Sequence, residues 1–129
     1  MGPDYRNLED QQPQNASTIL GAIPILPARG IGRAHALQQI AGPQAPQLLE
    51  LTADSIVIGR GVDADISIAS TALSRQHVRL ERYQGGYRAI DLNSANGVFL
   101  DQIRFHTAVL RQGDTLQIGD AVFIYHRGT

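Results

Sequence analysis

Residues 77–92 read "HVRLERYQGGYRAIDL". In the first half Val78 and Leu80 alternate with Arg79 and Glu81. A period of two sends apolar side chains to one face of a strand and charged ones to the other. Gly85-Gly86 supplies the positive φ of a tight hairpin, and "YRAIDL" returns as a second strand.

The same texture extends in both directions. "QLLELTA" and "SIVIGR" precede the hairpin, and "ISIA" follows the turn-rich "GVDAD". Downstream, "GVFL" and "IRFH" flank Asp101-Gln102 as another hairpin. "AVLRQGD", "TLQIGD" and "AVFIYH" then close the chain, with turns at Gly113-Asp114 and Gly119-Asp120. Short strands at close spacing, separated by turn chemistry, predict an all-β antiparallel sandwich over residues 47–126. No helix-length pattern interrupts them, which argues against a parallel α/β sheet. The last strand ends close to the end of the chain, so the chain is expected to be a fragment of a longer protein.

Upstream the chain differs. All six Pro lie at or before position 46. Proline cannot donate to a β-ladder, so residues 1–46 are expected to be an N-terminal extension, largely disordered or loosely docked. Residues 1–17 are polar and predicted disordered. "TILGAIPILP", residues 18–27, is apolar but broken by Pro, which suits an extended segment able to dock on a partner or on the folded domain. "GRAHALQQIAG" carries good helix formers and stops at Gly42, which predicts a short helix over 33–41.

Composition narrows the function. The chain has 129 residues, 43% hydrophobic and 18% charged, with net charge −1. Nothing here points to nucleic acid. All 11 basic residues are Arg, the better side chain for bidentate oxyanion contacts. With no Cys, disulfides and thiolate chemistry are excluded. The four His are scattered, so no metal or cofactor is expected. No apolar run reaches the roughly 18 residues of a membrane span. No signal-peptide pattern starts the chain, so the expected compartment is the cytoplasm.

Ser74 and His77 invite a catalytic reading. A Ser-His pair needs the imidazole on the hydroxyl and a third group behind it. The two are an odd number of residues apart at the start of a strand, and no G-x-S-x-G elbow occurs, so an enzyme is not expected. Gly59 and Gly61 have no following helix and no Lys, so they make no phosphate-binding P-loop. Asp63 and Asp65 read as solvated turn carboxylates.

Three loops remain: Arg60 after "IVIG", Ser74-Arg75 before "HVRL", and Ser94-Ala95-Asn96-Gly97 before "VFL". With these the chain resembles the forkhead-associated (FHA) domain from about Leu48 to Tyr125. The resemblance rests on Gly59-Arg60, Ser74-x-x-His77, "DLNSANGVFL", and the later Gly113-Asp114, Leu116 and Ile118-Gly119. It implies an FHA-type β-sandwich whose loops at one end bind phosphothreonine peptides, without catalysis.

The residue chemistry fits that implication. A phosphothreonine carries about −1.5 to −2 charge and three strong acceptor oxygens. Arg60 can hold two of them in a planar fork, Ser74 can donate its hydroxyl, and Arg75 can add its backbone N–H. Charge-assisted bonds of this kind contribute roughly 1.5–3 kcal/mol each. By similarity, Asn96 would grip the peptide backbone beside the phosphothreonine, Gly97 would free the turn, Ser94 would brace it, and His77 would hold the Ser74 loop. Asn96-Gly97 also reads as a simple tight turn.

In the family a Thr commonly precedes the Asn-Gly; here it is Ala95, and one lost hydroxyl bond lowers affinity by roughly tenfold. Thr18, before the apolar stretch, is a candidate phosphosite that would make the chain's own tail a ligand. The expected partner is thus a phosphothreonine-bearing protein, peptide or tail, not nucleic acid or membrane. The alternative is a phospho-independent interaction or oligomerisation domain on the same fold.

Overall fold

The computed structural model describes residues 33–129. The expected disorder over 1–17, the apolar 18–27 segment and Thr18 lie outside the described residues.

Among the described residues eleven strands form: β1 (His35–Ala41), β2 (Gln47–Leu51), β3 (Ser55–Gly59), β4 (Ile66–Ser67), β5 (Val78–Tyr83), β6 (Gly86–Asp91), β7 (Val98–Leu100), β8 (Ile103–Phe105), β9 (Thr107–Val109), β10 (Thr115–Ile118) and β11 (Ala121–His126). They make two sheets, ordered β2-β1-β11-β10-β7-β8 and β4-β3-β5-β6-β9. The assigned pairings are antiparallel except β3 with β4. The all-β sandwich expectation holds.

The opening hairpin is β5–β6. Leu80 faces Ala89 across it, both fully buried, while Glu81 faces Arg88 on the outer surface in an ion pair of 3.0 Å. Its turn sits one residue earlier than the sequence reading placed it. Gln84 and Gly85 take the positive φ values, 50° and 79°, and Gly86 is already strand, paired with Tyr83. Ile58, Leu80, Tyr87, Leu116, Phe123 and Tyr125 belong to the core between the sheets.

Three expectations are corrected. Residues 33–41 are not a helix: His35–Ala41 form strand β1, hydrogen-bonded to β2 on one side and β11 on the other. Pairing with two flanking strands outweighs the helix propensity of Ala, Leu and Gln, a local preference of roughly tenths of a kcal/mol per residue. The sandwich accordingly includes His35–Ala41, upstream of the expected boundary at residue 47. Gln39, fully buried in β1, is satisfied: its Nε2 donates to the carbonyls of Ala41 (3.0 Å) and Pro43 (2.8 Å). Asp65 is more than a solvated turn residue, since its carboxylate accepts the Val57 N–H at 2.8 Å and caps the edge of β3.

Candidate functional site

Three connections meet at one end of the sandwich: β3–β4, β4–β5 and β6–β7. The first two are zipped together by backbone bonds. Arg60 N–H donates to the Ser74 carbonyl and Gly61 N–H to the Arg75 carbonyl, each at 3.0 Å. Gly59 makes this approach possible, because a Cβ there would run into the Arg75 carbonyl oxygen. Arg60 is exposed, and its Nε donates to the Leu73 carbonyl at 2.9 Å. That bond holds the stem and leaves the two terminal nitrogens of the fork for a ligand.

Ser74 lies where the loops join. Its N–H donates to His77 Nδ1 at 3.0 Å, and its Oγ accepts the Ala95 N–H at 3.0 Å. The hydroxyl therefore accepts from the protein and keeps its own proton to donate. Arg75, next along, is exposed, and its N–H has no backbone acceptor among the described residues.

His77 is fully buried. Because Nδ1 accepts from Ser74 N–H, the ring proton sits on Nε2, which donates to the Gly97 carbonyl at 2.8 Å. Both nitrogens are engaged with backbone, and neither is bonded to Ser74 Oγ. The pair thus lacks the contact that a Ser-His nucleophile requires. The imidazole instead ties β4–β5 to β6–β7. The backbone of His77 adds to the tie: its N–H donates to Ile58 and its carbonyl accepts from Leu92 N–H, both at 2.9 Å.

The third loop is not a hairpin turn, since β6 and β7 belong to different sheets. Its shape comes from two bonds of 3.0 Å, Ser94 N–H to Asp91 Oδ1 and Gly97 N–H to Ser94 Oγ. Gly97 has φ +83°, a conformation that favours glycine. Asn96 is exposed and its Nδ2 donates to the Ala72 carbonyl at 2.8 Å, reaching back to the β4–β5 loop. Ala95 is exposed beside it.

Arg60, Ser74, Arg75 and Asn96 therefore share one loop cluster, with Gly59, His77, Ser94 and Gly97 shaping it and Ala95 on its rim. Sequence reading missed two supports. Asp91 caps the third loop, and its spacing three residues before Ser94 is a readable turn signal. Ser70 Oγ donates to Asp120 Oδ1 at 2.7 Å, bracing β4–β5 against the β10–β11 turn. That pair is fifty residues apart and has no local signal. Among the described residues no group of His, Cys, Asp or Glu is placed to hold a metal ion, and no helix is long and apolar enough to cross a membrane.

Known proteins with the same features place the chain. Residues 56–119 match the family model of the FHA domain. The oxoglutarate dehydrogenase inhibitor of Corynebacterium jeikeium is 30% identical over 88 residues, 68% of this chain and 61% of that protein. The matched stretch thus spans less than two thirds of this relative. The FhaA FHA domain, solved in complex with the intracellular domain of Rv3910, superposes with a TM-score of 0.66 at 27% identity, covering 72% of this chain and all of that one. Mycobacterium tuberculosis EmbR, solved with a low-affinity phosphopeptide, gives a TM-score of 0.68 at 29% identity over 74% of this chain and 25% of its own. Fold, loop arrangement and family match agree, and the chain belongs to the FHA domain family.

Proposed function

We propose that the loop cluster binds a phosphothreonine on a protein partner, with Arg60, Ser74, Arg75 and Asn96 as the contacting residues. The observation that carries this reading is the state of Ser74. Its Oγ accepts the Ala95 N–H, so its proton is available to an acceptor, between two exposed arginines. The Arg60 fork supplies charge, Ser74 and the Arg75 N–H supply directed donors, and Asn96 holds the peptide backbone. The binding loops need not order on contact, because His77 and Asp91 already hold them. The domain acts by recognition and not by catalysis, in the cytoplasm where ATP-dependent kinases act.

The reading is tested by titrating the chain with a degenerate phosphothreonine peptide library and its unphosphorylated counterpart. Binding is expected to require the phosphate. Arg60→Ala removes a charged hydrogen-bonding partner and is expected to weaken binding by at least tenfold, on the order of 1.5–3 kcal/mol. Equal binding of unphosphorylated peptide favours the phospho-independent interaction domain instead. A phosphorylated peptide spanning "NASTILGAIP" in the same titration tests the chain's own tail: binding lost in Arg60→Ala supports Thr18 as a ligand, and no binding removes it.

A further inference from the structure

The β7–β8 hairpin brings one more cation to the edge of the loop cluster. Arg104, on β8, faces Phe99 across the pair and is exposed. Its guanidinium lies directly on Gly97. A Cβ built at Gly97 would stand 2.6 Å from Arg104 Nε, 2.8 Å from Cζ and 3.1 Å from Nη2. Glycine at 97 therefore serves twice: it adopts φ +83°, and its bare face leaves room for the guanidinium. Arg104 is absent from every ion pair and side-chain hydrogen bond among the described residues, whereas Arg88 is paired with Glu81 and Arg127 donates to the Gln84 carbonyl. A planar guanidinium resting on backbone keeps its N–H edges for acceptors in its own plane.

The position matters because Gly97 adjoins Asn96 and receives the His77 bond. We propose that Arg104 is a specificity-determining residue that selects an anionic side chain, carboxylate or phosphoryl, flanking the phosphothreonine. The proposal rests on the phosphothreonine reading of the same cluster. Three features make Arg104 suited to it. It is carried by a strand, so its position does not depend on loop order. Contact with Gly97 restricts its rotamers before a ligand arrives, so less side-chain freedom is lost on binding. On this flank Ala95 provides no side-chain donor, and Arg104 supplies the positive charge.

The test titrates the full chain with phosphothreonine peptides in which Glu, phosphoserine, Ala or Lys is scanned through the flanking positions. The unaltered chain is expected to bind peptides with Glu or phosphoserine at one or two positions about fivefold more tightly than those with Ala, the range of an exposed ion pair. Arg104→Ala should bring that ratio to one, and Arg104→Glu should invert it in favour of Lys. Comparing Glu with phosphoserine separates carboxylate from phosphoryl selection. An unchanged ratio in Arg104→Ala, or no flanking preference in the unaltered chain, overturns the proposal while leaving Arg60-dependent phosphothreonine binding in place. Absence of any phosphate dependence in the unaltered chain sinks the reading of the site as well. A urea midpoint within error of the parent for each variant shows that the fold is retained.

Discussion

Ser74 and His77 show how a pair of side chains changes meaning with its hydrogen bonds. Read as a list, they are a hydroxyl and a base. In the fold, the imidazole faces the Ser74 N–H and the Gly97 carbonyl, and the hydroxyl faces Ala95. The ring spans two loops whose residues are twenty positions apart, and it does so with one tautomer. At the same scale, Ala95 is the position expected to limit affinity in the proposed site. It stands on the rim of the cluster with only a methyl group. Ala95→Thr is expected to tighten phosphothreonine binding by about 0.5–1.5 kcal/mol, up to roughly tenfold, through one added hydroxyl bond. Titration of the same phosphopeptide against both chains checks this. Unchanged affinity would mean that a residue at 95 does not reach the phosphate.

At the scale of elements, turns decide how well the strands are joined. The β7–β8 turn is Asp101-Gln102, with φ of 48° and 71°. Two positive φ values in a two-residue hairpin suit Asn-Gly or Asp-Gly, so Asp101 fits and Gln102 is strained. Asp101 is also docked, its N–H on the Thr115 carbonyl at 2.8 Å and its Oδ1 under the Thr115 N–H at 3.1 Å. Gln102→Gly is therefore expected to stabilise the fold by about 0.5–1 kcal/mol. A raised urea midpoint at unchanged m-value is the measurement. The strand β1 teaches the converse lesson. Its sequence, "HALQQIA", favours helix by propensity, yet it lies between β2 and β11. Nothing within seven residues announces two partners, one of which is nearly ninety positions downstream.

For the whole molecule, the end opposite the loop cluster is held by histidines. His35 Nδ1 accepts the Gly128 N–H at 2.8 Å and lies 3.2 Å from the Tyr125 hydroxyl, tying β1 to the end of β11. His126 Nε2 contacts Gln38 Oε1 at 2.9 Å across the same strands. Burial, then the nearby Arg82 and Arg127, lowers the His35 pKa below the usual histidine value. Burial, then Arg33, lowers that of His126. With folded pKa values below the unfolded ones, the unfolded chain binds more protons as pH drops below about 6.5. Stability is thus complete above that pH and falls as pH falls toward the folded values. Asp114 acts in the opposite sense, its carboxyl raised mainly by burial, but only in the carboxylate range. The urea midpoint is expected to decline between pH 7 and pH 5. The double variant His35→Gln and His126→Gln should flatten the decline, and a slope unchanged in that variant would assign the effect elsewhere.

Local sequence determined the class of this protein and pointed to its candidate loop residues. Period-two alternation in "HVRLERY", turn residues between strands and the absence of proline after position 46 are short-range properties, so the all-β sandwich was legible without a structure. That Arg60, Ser74, Arg75 and Asn96 lie on loops flanking strands was legible too, and the order of those loops carried the resemblance from which the proposed site is drawn. Tertiary structure alone decided that Ser74 Oγ meets Ala95, that Ser70 meets Asp120, that β1 is a strand, and that Arg104 rests on Gly97. These depend on which strands become neighbours. Pairing is set by burial and hydrogen bonding summed over both sheets, and that sum leaves no mark in any short window of the chain.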